Sequence, residues 1–222
     1  MAADGETFDT PRPVGARELK QERAVRTRER VLDAAANAFA AKGYPAVTIL
    51  DVAQSAGITK GAVYFHYDNK DALAVALTDL FYRRIATIAD SVEKLELPPV
   101  SSVAELLIRT AIAFRDETVL QAGARLQLER QLIGAQLPVP YEAYTNLITS
   151  WLSRRDDGST QDCVSPPTTL ATVLVSAFFG AQHISWVLNN RADLLERTIA
   201  VVQTIIPCVE ADIALCPSAA RR

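Results

Sequence analysis

The chain has 222 residues and a formal net charge of −3 at pH 7. It is long enough for one large or two small domains with a real core, and not basic enough overall for a general nucleic-acid binder. Richness in Ala and Leu, scarcity of Gly and the lack of alternating β-branched runs predict an all-α protein. No apolar run approaches the roughly eighteen residues of a membrane span, and the polar, acidic N-terminus is not a signal peptide. A cytoplasmic protein with no membrane association is expected.

Residues 1 to about 15 have no periodicity and read as disordered. With the segment that follows, they make a flexible basic N-terminal arm over 1–22. From Arg12 to Arg30 there are seven Arg/Lys against three Glu, whereas the chain beyond residue 70 is net acidic, so the positive charge is local. The run Arg17, Lys20, Arg23, Arg26, Arg28, Arg30 is a solvated charged helix face on one reading. Beside a DNA-reading element it becomes a phosphate or minor-groove contact, above all for Arg17, Lys20 and Arg23. The first firm helix is predicted from about Thr27 to Lys42. Val31, Ala34/Ala35, Ala38 and Phe39 are its buried stripe and Gly43 is its C-cap; Phe39 and Tyr44 read as core.

The most specific stretch is Thr48 to Leu73, TILDVAQSAGITKGAVYFHYDNKDAL. Thr48 and Asp51 form a capping-box-like pair. Ile49, Val52 and Ala53 share a face, and Gly57 supplies the positive φ of a sharp turn. Thr59 caps a second, shorter helix with Val63 turned inward. Lys60, Gly61, Tyr64 and His66 sit at that helix's outer edge, and Asn69 caps the next helix with Lys70 in its first turn. A short helix after a Gly turn with that edge suits the DNA major groove, although a corner used only for packing has the same spacing. The whole string resembles the TetR family of bacterial repressors, whose signature is T-I-x-x-V-A-x-x-A-G-[IV]-[ST]-x-G-x-x-Y-x-[HY]-[FY]-x-x-K-x-x-L. Thr48, Ile49, Val52, Ala53, Ala56, Gly57, Ile58, Thr59, Gly61, Tyr64, His66, Tyr67, Lys70 and Leu73 all match. The resemblance implies a helix-turn-helix domain over 23–70 that binds operator DNA through Thr48, Thr59, Lys60, Gly61, Tyr64, His66 and Lys70. Lys60 and Gly61 would face bases, while Thr48, Tyr64, His66 and Lys70 would hold phosphates.

From Lys70 to about Glu96 one long helix is predicted, stopped by Leu97-Pro98-Pro99. A ligand-binding and dimerisation domain over 71–222 follows, with helical blocks at 102–119, 120–136, 141–155, 168–190 and 193 to about 215, the last kinked at Pro207. Block 168–190 is apolar nearly all round and must be buried on all faces, either as a core helix or against a partner. The resemblance implies the second: a homodimer through the last two helices, so that two reading helices engage a palindrome.

The sequence does not look like an enzyme. Its two histidines are His66 and His183, and no H-E-x-x-H, G-x-S-x-G or phosphate-cradling loop occurs. Cys163, Cys208 and Cys216 lack metal-ligand spacing and read as reduced thiols; no metal or cofactor is expected. Tyr82, Gln127, Tyr141, Tyr144, Trp151, Gln182 and His183 are polar groups amid apolar helices, the composition of a small-molecule pocket. Taken singly, each equally fits a half-buried helix edge with a wet tip.

The block Gly123-Ala124-Arg125-Leu126-Gln127-Leu128-Glu129, followed by Pro140-Tyr141-Glu142-Ala143-Tyr144, is similar to the γ-butyrolactone-receptor branch of the family. That branch carries G-x-R-L-x-x-E and then P-Y-x-x-W; here Tyr144 stands where the branch has Trp. The resemblance implies a repressor of antibiotic and signalling genes released by a small diffusible lactone or furan. Tyr in place of Trp favours a more polar ligand, such as an alkyl-hydroxymethyl-furan carboxylic acid held by Tyr82, Gln127, Tyr141 and Tyr144. The rival readings are a multidrug sensor controlling an efflux pump and an effector-free DNA-binding dimer.

Overall fold

The computed structural model describes residues 15–139, 141–154 and 165–206. All regular structure among them is helical: α1 (Ala16–Lys42), α2 (Ile49–Ala56), α3 (Lys60–His66), α4 (Lys70–Glu93), α5 (Pro99–Asp116), α6 (Thr118–Leu128), a 3-10 turn (Arg130–Leu132), α7 (Glu142–Leu152), α8 (Pro167–Asn189) and α9 (Leu194–Ile205). The loop before Pro166, the three cysteines and the expected kink at Pro207 lie outside the described residues.

Several boundaries differ from the sequence expectation, among them that of the last helix, which ends at Ile205 instead of near 215. Helix α1 begins at Ala16 rather than near Thr27, so part of the expected flexible arm is helical. The stretch Arg-Glu-Leu-Lys-Gln-Glu-Arg consists of good helix formers with no breaker. It carries no apolar stripe, residues 21–26 being mostly exposed, and burial periodicity therefore passes over it. The predicted helix over 120–136 ends at Leu128, because Glu129 leaves helical geometry (φ −94°, ψ 9°). Its carboxylate is drawn to the backbone amide of Tyr44, which donates to Oε2 at 2.5 Å.

The helices surround two cores. The head core joins Val31, Phe39, Val52, Val63, Leu73 and Leu77 to Ala122 and Leu126 of α6. The body core gathers Phe81, Leu107, Phe114, Ile148, Trp151 and Phe178. Helix α4 feeds both, with Leu73 and Leu77 in the first and Phe81 and Ile88 in the second. A boundary at residue 70 is therefore a division of the chain and not of the packing, since α6 of the body lies against α1 of the head.

That close layering depends on Gly123, where an added Cβ would collide with the Phe81 ring. Gly123→Ala is expected to cost about 1–3 kcal/mol of stability by overpacking, read as a lower urea midpoint at unchanged slope. An unchanged midpoint would mean that α4 and α6 separate freely at this point.

Helix α8 departs from expectation in another way. It is 23 residues long and apolar enough to cross a membrane by length and composition alone, whereas no apolar run of that length is expected from the sequence. Nor is it buried on all faces: Leu170, Leu174 and Phe178 are enclosed, while Val173, Ile184, Val187 and Leu188 remain 46–66% exposed. One side belongs to the body core and the other is an apolar face open on the single chain.

Candidate functional site

The head presents a compact polar edge built by caps. The backbone amide and hydroxyl of Thr48 donate to Asp51 Oδ2 at 2.8 and 2.7 Å, and the Asp51 amide donates back to Thr48 Oγ1 at 3.2 Å. These bonds hold the Asp51 carboxyl below its ordinary pKa and fix the start of α2. Gly57 turns the chain at φ 63°, and its amide closes on Ala53 and Gln54. Arg30 Nη2 donates to the Ala56 carbonyl at 2.5 Å, tying α1 to this turn. Thr59 then caps α3 by accepting from the Ala62 amide at 3.2 Å.

With Val63 fully buried as the anchor, α3 turns Lys60, Gly61 and Tyr64 outward together. Lys60 Nζ lies 5.6 Å from the Tyr64 ring centroid. Gly61 stands in open space, its nearest neighbour being Thr59 Oγ1 at 3.9 Å from an added Cβ. His66 is half-buried and edge-on to Phe65.

Phe65 itself was not singled out in the sequence, yet it is 80% exposed on the outer side of α3. The signal was available: once Val63 is fixed inward, a residue two places on falls on the opposite side of a helix. Arg23 is exposed on α1, and Arg17 and Lys20 lie on the first turns of that helix. Lys70, expected at the phosphates, has a partner inside the chain. Its Nζ donates to the Tyr44 carbonyl at 2.9 Å and sits 4.1 Å from the Tyr44 ring centroid, so the ammonium holds the turn between α1 and α2.

In the body, α4, α6, α7 and α8 enclose a cavity of about 360 Å³. Tyr82, Gln127, Tyr141, Tyr144, Gln182 and His183 all line it, against apolar walls from Phe81, Ile85, Leu147 and Phe179. Tyr82 Oη, both amide atoms of Gln127 and Gln182 Nε2 are buried there without a hydrogen-bond partner among the described residues. Burial raises the Tyr82 hydroxyl pKa, with the Arg130 cation nearby pulling the other way. Burial likewise raises Tyr141, whose ring packs 4.5 Å from that of Phe179.

Tyr144 differs from these. Its hydroxyl pairs with Thr110 Oγ1 at 3.0 Å, and burial pushes its pKa well above the ordinary tyrosine range. Its ring forms cavity wall while its polar tip is already satisfied. Trp151 does not reach the cavity. It is 1% exposed and belongs to the body core, because Tyr144, Ile148 and Trp151 repeat at helical spacing on the buried side of α7 and Trp151 falls two turns along.

Buried donors and acceptors gathered in an apolar chamber give it the composition of a small-molecule pocket. Among the described residues no group of His, Cys, Asp and Glu is placed to hold a metal.

Comparison with known proteins places this architecture. The model of "bacterial regulatory proteins, tetR family" matches residues 31–77, the stretch that carries the polar edge of the head. A solved structure described as the molecular basis for control of antibiotic production by bacterial hormones is 40% identical. The match covers 82% of this chain and 96% of that one, with a TM-score of 0.71. The chain belongs to the TetR family. The A-factor receptor protein of Streptomyces griseus is 30% identical over 190 residues, which is 86% of this chain and 66% of the receptor. The chain thus spans about two thirds of that relative's length. An ArpA-like γ-butyrolactone receptor structure is 26% identical, with 83% of this chain and all of that one covered and a TM-score of 0.64. Within the TetR family, this chain is related to γ-butyrolactone receptors.

Proposed function

We propose that this TetR-family protein is a cytoplasmic, non-enzymatic transcriptional repressor. It binds palindromic operator DNA as a homodimer and is released by a small signalling molecule, so controlling antibiotic biosynthesis. The observation that carries the effector half of this reading is the cavity, where three neutral side chains, Tyr82, Gln127 and Gln182, are buried with unsatisfied polar atoms. Those groups favour a compact ligand with both hydroxyl and carboxyl or carbonyl functions on an apolar tail. The unpaired donors among them, Tyr82 Oη, Gln127 Nε2 and Gln182 Nε2, suit an acceptor-rich carboxylate head, and on that ground an alkyl-hydroxymethyl-furan carboxylic acid is preferred to a neutral γ-butyrolactone, as in a receptor of the methylenomycin-furan type.

The multidrug-sensor alternative wants a buried acid for cationic drugs. The acid at this cavity, Asp90, is exposed at its rim and is too solvated to serve as that counter-charge. The deciding experiment is a gel shift on the DNA upstream of the protein's own gene, titrated separately with the two ligand classes. Release by the furan acid alone supports this reading. Release by the lactone alone moves the ligand assignment, and release by lipophilic cations alone overturns it.

On the head, Lys60 and Gly61 read bases, Phe65 meets a thymine methyl, and Tyr64, His66, Thr48, Thr59 and the α1 residues Arg17, Lys20 and Arg23 position the phosphates. Lys60→Ala is expected to cost about 1–3 kcal/mol at the cognate site and to relax base choice there. Arg23→Ala weakens all DNA and lowers the salt slope by about one. Lys70→Ala, in contrast, lowers protein stability and leaves the salt slope unchanged, because its ammonium serves Tyr44. A slope reduced equally by Arg23→Ala and Lys70→Ala would return Lys70 to the phosphate-binding set.

A further inference from the structure

The G-x-R-L-x-x-E block faces two ways, and only one of its sides meets the cavity. Ala124 and Gln127 line the chamber. Arg125 on α6 and Glu129 at its C-cap, four residues on, face the head instead. Arg125 Nη1 donates to the carbonyls of Ala40 and Ala41, both at 3.0 Å, and its Nε donates to Glu129 Oε1 at 3.0 Å. Glu129 Oε2 accepts the Tyr44 amide. The pair thereby satisfies carbonyls at the end of α1 and the first amide beyond its C-cap, groups a helix end otherwise leaves open. Gly43 lies beneath the clamp at φ 81°, where an added Cβ would meet Arg125 Nη2 at 2.7 Å.

From Tyr44 the connection reaches the start of α4. The Tyr44 hydroxyl donates to Asp71, its carbonyl accepts Lys70 Nζ, and Asp71 also accepts the Gly134 amide at 3.3 Å. Burial and the Asp71 hydrogen bond push the Tyr44 hydroxyl up to about 12. On the far side, the Trp186 ring of α8 lies 5.4 Å from the Arg125 guanidinium.

We propose that the Arg125–Glu129 clamp is the element that couples occupancy of the cavity to the posture of the reading head. The inference rests on the effector reading above and assigns the coupling to two residues outside the cavity wall. A ligand that recruits the Gln127 amide loads α6 from one side. The clamp passes a small rotation of α6 to the end of α1 and to Tyr44, whose partners Lys70 and Asp71 open the helix that follows α3. Two charge-assisted bonds in fixed geometry make this joint either seated or broken, the two-state behaviour that coupling needs. Arg125 and Glu129 are thus positioning residues, distinct from those that touch ligand or DNA.

The test uses the full chain, DNA upstream of its own gene and an alkyl-hydroxymethyl-furan carboxylic acid as probe. Calorimetry gives probe affinity, and anisotropy gives DNA affinity with and without saturating probe. The ratio of the two DNA affinities is expected to be at least about ten in the wild type, within the usual range for coupled sites. Glu129→Gln and Arg125→Lys are expected to bind probe and DNA separately within about three-fold of wild type while the ratio falls below about three. A merely structural role would weaken stability and leave the ratio intact, and a full ratio in both variants overturns the proposal.

If the wild type binds DNA but not the probe, the effector reading fails on its own, and the clamp is read by hydrogen exchange. DNA binding should then slow amide exchange over 122–128 in the wild type and leave it unchanged in Glu129→Gln. Exchange indifferent to DNA in the wild type overturns the coupling.

Discussion

Gln127→Leu is expected to raise the thermal midpoint of the ligand-free protein and to weaken its response to inducer. Both amide atoms of Gln127 are buried with no hydrogen-bond partner among the described residues, and the residue is 4% exposed. An unsatisfied buried polar group costs about 1–3 kcal/mol, whereas an apolar side chain of similar shape carries no such penalty. For a domain of this size each kcal/mol is worth roughly 2–4 °C, so several degrees of stabilisation should appear in a melting scan. The same substitution deletes a donor and an acceptor from the polar end of the cavity. Inducer affinity should fall about ten- to a hundred-fold, the loss of one hydrogen bond to a charged head. Tyr144→Phe provides the opposite sign: its hydroxyl is paired with Thr110, so its removal strands Thr110 and destabilises by about 1 kcal/mol. An unchanged Gln127→Leu midpoint would show that the amide is solvated in the empty cavity, and would remove the argument that the site is built for a guest.

The contrast between Gln127 and Tyr144 also marks how far the sequence could be read. The helix-turn-helix was legible because its signals are local: a capping box at Thr48, an αL glycine at 57 and an N-cap at Thr59 each act within four residues. Six of the seven cavity candidates were found by type alone, as polar groups set in apolar helices. What no local pattern carries is the destination of each polar tip. Tyr144 and Tyr82 look alike in sequence, and only tertiary packing sends one hydroxyl to Thr110 and leaves the other unpaired. Trp151 failed for a related reason, since it shares the buried side of α7 with Tyr144 but falls two turns along, in the core and away from the cavity wall. Lys70 fits a phosphate contact by motif, but Tyr44 lies twenty-six positions earlier and claims the ammonium. The early turns of α1 escaped because solvent-exposed helix leaves no apolar period to detect.

Gly180→Glu is expected to convert a dimer into a monomer and to weaken operator binding by at least about a hundred-fold, the avidity lost when two linked half-site contacts become one. Along the open side of α8, Val173, Gly180, Ile184 and Val187 recur at helical spacing. Large apolar groups lie at the two ends, and at the centre stands a glycine whose Cβ would meet nothing within 4 Å. Such a stripe leaves sizeable side chains in water for no benefit to the single chain, and it lets two helix backbones approach closely at the glycine. A carboxylate introduced there is tolerated by the chain's own packing. In the proposed homodimer it would meet its own copy across the two-fold axis, combining bulk at the crossing point with like-charge repulsion in a water-poor seam. Gly180→Ala adds a single methyl and should leave the dimer intact, separating the effect of charge and size from that of helix propensity. Sedimentation velocity and gel shift on the same preparations decide the matter. If Gly180→Glu remains dimeric with unchanged operator affinity, the two copies meet elsewhere, and the apolar side of α8 needs a different partner.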